Sequence, residues 1–390
     1  MIPLKVLNVV GGSRDLIKIA PIMQVMRESR EVEPVLVHTG RPLPDVFSGV
    51  VLRDMRVPQP DVFLDVAPGS HAQQTAAIME RFEGTVADID PDLVLVIGDV
   101  NSTVAASITA VKKGVPVAHV EAGLRSFDRQ DSKEINRVMT DSISDFLFVS
   151  EDSAIDNLMC EGITASRIHF VGNVLIDSLF ANCDRILESK ILESLGLEVG
   201  EYAVLALCRT MDTSEPQYMQ VIVDSLEMIQ RQIPVILPVH FETVGRLHRL
   251  GLWDAINNLA NVNVIESIAY LDFIALLKGS RLTLTDTNGV QEETTSLQVP
   301  CLTFGDRTER PATVSKGTNR LVGRDPHAVV AEALRVLRGG GNGGGVPPMW
   351  DGQAAHRLVA RLLDDREEVL ERYRHVRITN QCTTPSTHPE

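Results

Sequence analysis

The chain has 390 residues, of which 44% are hydrophobic and 23% are charged, the composition of a globular protein long enough for two domains. Its formal net charge is −15, and only 4% of its residues are aromatic. A protein with this excess of negative charge repels the phosphates of nucleic acids and of anionic bilayers, so we expect neither a nucleic-acid partner nor a membrane partner.

The cysteines and the N-terminal sequence indicate a cytoplasmic protein. The five cysteines form no CxxC pair, so we expect neither a zinc site nor a disulfide framework. The first residues, MIPLKVLNVVGG, run directly into a strand pattern and lack the charged region and cleavage site of a signal peptide. No acids are grouped with His or Cys at ligand spacing, so we expect no metal and no bound cofactor.

Short apolar runs alternate with longer amphipathic stretches in the first half of the chain. Runs of Val, Ile and Leu predict parallel strands buried on both faces at residues 6–10, 34–38, 93–98, 115–120, 146–149 and 168–171. Helical spacing separates them, for example at residues 16–27, 72–87 and 103–113. This alternation predicts a doubly wound α/β sheet.

The second half repeats the alternation, with strands predicted at residues 203–207, 235–239, 262–265, 282–285 and 301–304. We therefore expect an α/β fold with two Rossmann-like domains, residues 1–184 and 200–350, that face each other across a cleft. Residues 351–377 should hold a C-terminal helix, at 353–374, that packs back across the domains, and residues 378–390 should be disordered. The glycine-rich segment 339–345 is interpreted as a surface linker rather than a phosphate-binding loop.

Two acidic residues follow neighbouring strands of the first predicted domain. Asp99 ends one strand, and Glu121, in the sequence HVEAGLR, ends the next. Because the carboxyl ends of parallel strands meet at one edge of a sheet, the two carboxylates should converge there and could act as acid and base. Alternatively, Asp99 or Ser102 caps the following helix, and Glu121 pairs with Arg125 or Arg137.

Two glycines follow the first predicted strand. Gly11 and Gly12 open a helix that contains Arg14 near its start and Lys18 one turn further on. Glycine allows close approach of the backbone, and a helix N-terminus attracts anions, so Arg14 and Lys18 are candidate phosphate ligands. A tight turn without any ligand would have the same sequence.

The second predicted domain also carries polar motifs at its strand ends. They are PVH, which ends at His240, TDTNGVQEE, and TERP, which contains Arg310. Hydroxyl and amide groups at a helix start suit a phosphate, and the carboxylate of Glu293 could accept both hydroxyls of a ribose. A simple capping box at the start of this helix is the alternative.

These motifs, together with IKIAP, EINR, VGNVLID and RLVG, resemble the non-hydrolysing UDP-N-acetylglucosamine 2-epimerase family over nearly the whole chain. The resemblance implies a glycosyltransferase-B arrangement, a homodimer, and a UDP-sugar in the interdomain cleft. It also implies that Glu293 clamps the ribose, that residues 287–289 hold phosphate, and that Asp99 and Glu121 face the sugar. The family's reaction removes the proton at C2, expels UDP to leave a glycal, and adds UDP back after protonation on the other face.

The chain departs from the family's pattern at positions tied to that chemistry. Ser13 stands where the family has an arginine, Lys133 replaces a catalytic glutamate, and Cys208, before Arg209, replaces a histidine. A Gln-His pair is replaced at residues 41–42. A lysine cannot act as a carboxylate base, and the histidine was the group best suited to proton transfer near neutral pH. Lys133 could, however, neutralise a departing diphosphate.

We therefore expect a glycosyltransferase that cleaves the anomeric C–O bond of a nucleotide-sugar donor and passes the sugar to a small-molecule acceptor. That reaction needs leaving-group stabilisation but no base at C2. The expected catalytic residues are Asp99, Glu121, Lys133 and His240, and the expected nucleotide- and phosphate-binding residues are Arg14, Lys18, Arg209, Thr287, Asn288, Gly289, Glu293 and Arg310. The alternatives are a 2-epimerase with rearranged acid–base groups, a nucleotide-sugar hydrolase, and an inactive sugar-nucleotide-binding protein.

Overall fold

The computed structural model describes residues 3–41, 46–207, 216–341, 343–367 and 370–371. The chain divides into two compact units, one formed by Met1–Ala181 with Pro348–Glu390 and the other by Asn182–Pro347. The second unit is therefore a continuous segment inserted into the sequence of the first. Each unit is built around a parallel sheet, which confirms the predicted fold class of two parallel α/β domains.

The described residues form alternating strands and helices throughout. The strands are β1 Leu4–Val10, β2 Val32–His38, β3 Val62–Phe63, β4 Leu93–Ile97, β5 Val117–Val120, β6 Phe146–Val149, β7 Ile168–Phe170, β8 Ala203–Ala206, β9 Val235–Val239, β10 Val262–Glu266, β11 Leu282–Thr285, β12 Cys301–Thr303 and β13 Asn319–Leu321. The helices are α1 Ser13–Glu28, α2 Val46–Asp54, α3 His71–Ile89, α4 Asn101–Lys112, α5 Ser132–Ile143, α6 Asp152–Cys160, α7 Val174–Ala181, α8 Cys183–Leu187, α9 Ile191–Leu195, α10 Pro216–Ile229, α11 Phe241–Arg249, α12 Trp253–Asn257, α13 Tyr270–Gly279, α14 Asn288–Leu297, α15 Pro311–Ser315, α16 Pro326–Leu337 and α17 Ala354–Asp364. Within the described residues, no helix is long and apolar enough to cross a membrane.

The strand order in each sheet places the predicted site residues. In the described part of the first unit seven strands run in the order β3-β2-β1-β4-β5-β6-β7, and in that of the second unit six run in the order β10-β9-β8-β11-β12-β13. Every residue of β4, β5 and β6 is buried, because helices flank the continuous apolar runs that the sequence showed. Since β4 pairs directly with β5, the loops that carry Asp99 and Glu121 leave the sheet side by side.

The C-terminal segment belongs to the first unit, where α17 contacts α1 and α7. Buried polar groups hold this segment in place. The carboxylate of Asp177 accepts hydrogen bonds from the backbone N–H groups of Ala354 and Ala355, at 3.1 and 2.7 Å. The indole N–H of the fully buried Trp350 donates to the carbonyl of Ser150 at 2.8 Å. The VGNVLID motif, which ends at Asp177, therefore has a structural role in holding α17.

A glycine in the same motif allows a second close approach. Gly172 has a φ of +95°, and a Cβ there would lie 2.0 Å from the carbonyl oxygen of Met349. In the second unit, a Cβ on Gly344 of the glycine-rich segment would likewise collide with the carbonyl group of Gly317. Gly345 donates to the carbonyl of Lys316 at 2.7 Å, so part of this segment is held against the second unit by its backbone.

Several sequence-based boundaries need correction. The strands β3 and β13, with the sequences VF and NRL, were not predicted because neither has a continuous Val, Ile or Leu run. Of the helix predicted at 353–374, α17 covers Ala354–Asp364. Asp365 is its C-cap, with its backbone N–H donating to the Arg361 carbonyl at 3.2 Å, and residues 366–367 and 370–371 are again helical. Pro42, Cys208, Arg209 and the tail predicted to be disordered, 378–390, lie outside the described residues.

Candidate functional site

The carboxyl ends of β4 and β5 bring together the acidic residues predicted for the first unit. Gly98 follows β4 with a φ of +70°, and Glu121 follows β5 with a φ of +67°. A Cβ on Gly98 would lie 3.7 Å from a carboxylate oxygen of Glu121 and 3.9 Å from Nζ of Lys18. The side chains of Glu121 and Lys18 thus lie beside the backbone of the residue that precedes Asp99.

Glu121 forms a close ion pair with Lys18. Nζ of Lys18 lies 2.6 Å from Oε2 of Glu121, and the two side chains are 13% and 4% exposed. The prediction that Glu121 pairs with Arg125 or Arg137 missed this cation, which lies 103 positions away in the sequence. Lys18 is therefore a largely buried cation at the sheet edge rather than a solvated one.

Asp99 is held as a carboxylate by several cations. Nη2 and Nε of Arg137 contact Oδ2 of Asp99 at 2.6 and 3.1 Å, and the side-chain amide of Asn136 donates to the Asp99 carbonyl at 2.9 Å. Burial raises the pKa of Asp99, but the charges of Arg137, Lys133 and Lys18 outweigh burial and hold the pKa at about 2. At neutral pH Asp99 is therefore equipped to accept a proton rather than to donate one.

Neither Asp99 nor Ser102 caps the helix that follows. The N-cap residue of α4 is Val100, and it makes no side-chain capping bond. The hydroxyl of Ser102 instead lies 2.8 Å from the hydroxyl of Thr39. A Cβ on Gly11 would lie 2.4 Å from Oγ of Ser102. Gly11 is thus required by the close packing of the β1–α1 turn against α4.

The predicted phosphate-binding loop contains an internal acceptor. The backbone N–H groups of Gly11 and Gly12 donate to Oδ2 of Asp15, at 2.9 and 3.2 Å. Burial raises the pKa of Asp15 to about 6, since nearby Lys18 and the Gly11 N–H offset burial only in part. Sequence reasoning missed Asp15, although a carboxylate at the third position of a helix commonly reaches back to the preceding N–H groups. Arg14 is exposed.

The start of α5 supports the loop after β5. Oε2 and Oε1 of Glu134 accept the backbone N–H groups of Ser126 and Phe127 at 2.9 and 3.0 Å, and Nη1 of Arg137 donates to Oε2 at 2.9 Å. Lys133 is exposed, and its charge helps to lower the pKa of Asp99. Lys133 therefore contributes to the electrostatics around Asp99.

In the second unit, Glu293 lies on α14 with a hydroxyl partner. The buried hydroxyl of Tyr270, on α13, donates to Oε1 of Glu293 at 2.9 Å. Nothing in the sequence pattern pointed to Tyr270. The N-cap residue of α14 is Thr287, whose side chain makes no capping bond, so the capping-box alternative is wrong. Asn288 and Gly289 form the first turn of α14, and the Asn288 amide donates to Glu309.

The remaining predicted residues of the second unit differ in accessibility. Arg310 is 4% exposed, and its Nε donates to Oε1 of the buried Glu292 at 2.7 Å. Arg310 is therefore a buried cation of the second unit and not a surface cation. His240 is the N-cap of α11, where its Nδ1 accepts the Glu242 N–H at 3.5 Å. Arg209 lies outside the described residues. Among the residues that are described, no three His, Cys, Asp or Glu side chains group to hold a metal ion.

Comparison with known proteins matches nearly the whole chain. A family model for UDP-N-acetylglucosamine 2-epimerase matches residues 24–363. A UDP-2,3-diacetamido-2,3-dideoxy-D-glucuronate 2-epimerase from Pseudomonas aeruginosa is 37% identical over 338 residues, 86% of this chain and 92% of that protein. The UDP-N-acetylglucosamine 2-epimerase of Methanocaldococcus jannaschii is 33% identical over 362 residues, 91% of this chain and 98% of that one.

A solved structure of the Methanocaldococcus jannaschii enzyme, in complex with UDP-GlcNAc and UDP, is similar to this chain. It matches with a TM-score of 0.85 and 32% identity, and the match covers 92% of this chain and 99% of that one. The fold class predicted from the sequence, the glycosyltransferase-B-like epimerase fold, is confirmed.

The predicted glycosyltransferase activity is wrong. Relatives that are 33–37% identical over most of the chain are named 2-epimerases, and the structural match is to an epimerase bound to UDP-GlcNAc. The replacements Ser13, Lys133 and Cys208 were interpreted as a loss of C2 chemistry. Asp99 and Glu121, which the sequence predicted as a possible acid and base, lie at the carboxyl ends of paired strands, each beside a cation. The matches support the alternative that was left open, a 2-epimerase.

Proposed function

The chain belongs to the UDP-N-acetylglucosamine 2-epimerase family, and we propose that it inverts carbon 2 of a UDP-linked 2-acetamido sugar. The named relatives act on UDP-sugars that share an acetamido group at C2, which supports this substrate class rather than one sugar. The observation that carries the proposal is the convergence of Asp99 and Glu121 at the ends of paired strands, each in contact with a cation.

Inversion at C2 needs proton transfer on both faces of that carbon. In the proposed reaction one carboxylate removes the C2 proton, the C–H electrons form a C1=C2 bond, and the C1–O bond breaks to release UDP. The second carboxyl group, which must first take up a proton from water, delivers it to C2 on the opposite face. The C1=C2 electrons form the new C2–H bond, and a phosphate oxygen of UDP re-forms the C1–O bond. We assign these two roles to Asp99 and Glu121. Asp99 is free to accept the C2 proton, because its pKa of about 2 leaves it ionised at neutral pH.

The departing diphosphate carries negative charge that cations must stabilise. We propose Lys18, Arg14 and Lys133 for this task in the first unit. Lys18 lies at the sheet edge, and Arg14 and Lys133 are exposed at the starts of α1 and α5. The role of Arg209 in binding phosphate remains a prediction from the sequence. Arg310 is in a buried ion pair with Glu292, which argues that it supports the site indirectly rather than binding the diphosphate itself.

We propose that the second unit binds the nucleotide. Glu293 is the proposed ribose ligand, and the Tyr270 hydroxyl, 2.9 Å from one of its oxygens, fixes the carboxylate orientation. Thr287, Asn288 and Gly289 form the N-terminus of α14, where backbone N–H groups favour a phosphate. Glu293→Ala should therefore abolish UDP binding in calorimetry, and an unchanged affinity would remove the proposed ribose contact.

The central test follows the C2 proton of UDP-GlcNAc in deuterated water by NMR. We expect deuterium to enter C2 as the C2 epimer accumulates, and we expect Asp99→Asn and Glu121→Gln to lose this exchange. Asp90→Asn, at the exposed end of α3, is the matched control and should retain it.

Two substrates make this test decisive. The relatives' names specify UDP-GlcNAc and UDP-2,3-diacetamido-2,3-dideoxy-D-glucuronate, so both should be assayed. If the protein binds UDP but exchanges the C2 proton of neither sugar, the proposed function is wrong. The cytoplasmic location, the homodimeric state and the lack of a cofactor remain predictions from the sequence.

A further inference from the structure

A cluster of charged and titratable side chains, buried except for Glu161, lies next to the two proposed acid–base residues. It comprises His119 on β5, Asp141 on α5, Arg125 after β5 and Glu161 after α6. His119, Asp141 and Arg125 are each no more than 3% exposed. Nδ1 of His119 lies 2.6 Å from Oδ1 of Asp141, and Nε2 lies 2.8 Å from the carbonyl oxygen of Gly98.

The partners of the imidazole fix its protons. A carbonyl oxygen can only accept, so Nε2 of His119 must carry a hydrogen. Oδ2 of Asp141 accepts the Gly123 N–H at 3.0 Å and lies 2.7 Å from Nη1 of Arg125. Burial raises the pKa of Asp141, but His119 and Arg125 outweigh burial and lower it, so Oδ1 accepts from Nδ1. Both ring nitrogens therefore donate.

Asp141 lies between the His119 ring and Arg125. Its Oδ1 is 2.6 Å from Nδ1 of His119, and its Oδ2 is 2.7 Å from Nη1 of Arg125. Arg125 also makes two 2.7 Å bonds to the carboxylate of Glu161, whose side chain is 34% exposed. The buried carboxylate of Asp141 thus has Arg125 as a counter-charge, which a buried charge requires.

The hydrogen bonds of this cluster reach the loops that carry both proposed acid–base residues. Gly98 precedes Asp99, and Gly123 comes two residues after Glu121. The carbonyl of Gly98, the His119 ring, the Asp141 carboxylate and the N–H of Gly123 form one continuous chain of hydrogen bonds. Glu121 has a φ of +67°, a conformation that costs energy for a residue other than glycine and that neighbouring contacts must hold.

We propose that His119 and Asp141 are positioning residues that set the separation of Asp99 and Glu121 for proton transfer at C2. This proposal rests on the proposed 2-epimerase function. Neither residue needs to touch the substrate, because each acts through the backbone of a loop. α5 contacts the loops of both acid–base residues. Asp141 binds the backbone of the loop after Glu121, and Arg137, one turn earlier on α5, binds the Asp99 carboxylate directly.

The test compares His119→Ala, His119→Gln and Asp141→Asn with the wild type in C2 deuterium exchange. Misplacement of reacting groups by about 1 Å costs on the order of 100-fold in rate, so we expect kcat to fall by roughly that factor in His119→Ala. His119→Gln should recover part of the loss, because a glutamine amide can still donate to the Gly98 carbonyl. The KM and the dissociation constant for UDP should stay nearly unchanged.

Ser144→Ala is the matched control for a purely structural effect. Ser144 is fully buried just after α5, and its hydroxyl donates to the Thr140 carbonyl. We expect this variant to lose thermal stability but to keep its kcat. If the His119 and Asp141 variants behave in the same way, the residues only stabilise the fold and the positioning proposal is overturned.

The ring protons of His119 give a readout that is independent of activity. In wild-type protein labelled with ¹⁵N at histidine, NMR near neutral pH should detect protons on both ring nitrogens of His119. A single protonated nitrogen would overturn the proposed bonding. If the wild type exchanges neither sugar at C2, the proposed function fails and the positioning role fails with it. An active wild type with unchanged kcat in the His119 variants overturns the positioning role alone.

Discussion

Replacement of Asp15 by asparagine should make the first unit more stable at neutral pH. The carboxylate of Asp15 is buried, and burial raises its pKa from 3.8 to about 6. The folded state therefore binds a proton more tightly than the unfolded state does, and this group's contribution to stability is lost as the pH rises through the folded pKa. Asparagine keeps a side-chain oxygen for the N–H groups of Gly11 and Gly12 but carries no charge.

The two pKa values determine the size of this effect. Linkage gives a contribution from Asp15 of about 3 kcal/mol at pH 3, about 1.4 kcal/mol at pH 5 and nearly zero at pH 8. An asparagine side chain does not titrate, so the Asp15→Asn variant would show no such loss. The stability of the variant relative to wild type should therefore rise by about 1.4 kcal/mol between pH 5 and pH 8, or roughly 3–6 °C in melting temperature for a unit of this size.

The assay is scanning calorimetry of wild type, Asp15→Asn and the control Asp88→Asn at both pH values. Asp88 is exposed on α3, so its replacement should shift the melting temperature little at either pH. Equal effects of Asp15→Asn at pH 5 and pH 8, or a gain that shrinks as the pH rises, would refute the assignment of a destabilising buried charge.

Three further substitutions test individual contacts. Tyr270→Phe removes the hydroxyl that donates to Glu293, so we expect a loss of about 1–2 kcal/mol in stability and weaker UDP binding by calorimetry. Unchanged UDP affinity would contradict the orienting role. Gly172→Ala places a Cβ 2.0 Å from the Met349 carbonyl oxygen at a positive φ, and thermal unfolding should show a loss of at least about 2 kcal/mol. Asp177→Ala removes the acceptor of two α17 amides, so hydrogen exchange in α17 should accelerate about tenfold or more, and equal protection would argue against this contact.

The central strands could be predicted from the sequence because both of their faces are buried. β4 and β6 are continuous apolar runs buried at every residue, and this burial is what the pattern of Val, Ile, Leu and Phe encodes. β3 and β13 lie at sheet edges and owe their pairing to a neighbour rather than to their own composition.

The positions of Asp99 and Glu121 were predictable, but their partners were not. A strand end fixes where a side chain leaves a sheet, whereas the choice between Lys18, Arg125 and Arg137 depends on how distant segments pack. The error about activity has the same origin. Lys133 was judged by the glutamate it replaces, whereas its positive charge also lowers the pKa of Asp99.

The division of the first unit into two sequence segments affects the order in which the protein forms during translation. α1 and α7 are synthesised early, but α17, which buries Leu358, Val359 and Leu362 in this unit, follows the whole of Asn182–Pro347. At the usual speed of a ribosome, synthesis of that segment takes roughly 10–30 s. During this interval the apolar surface that α17 will cover is open to water and to chaperones, while the second unit already has its complete sequence. The nascent chain is thus expected to complete its second unit before its first.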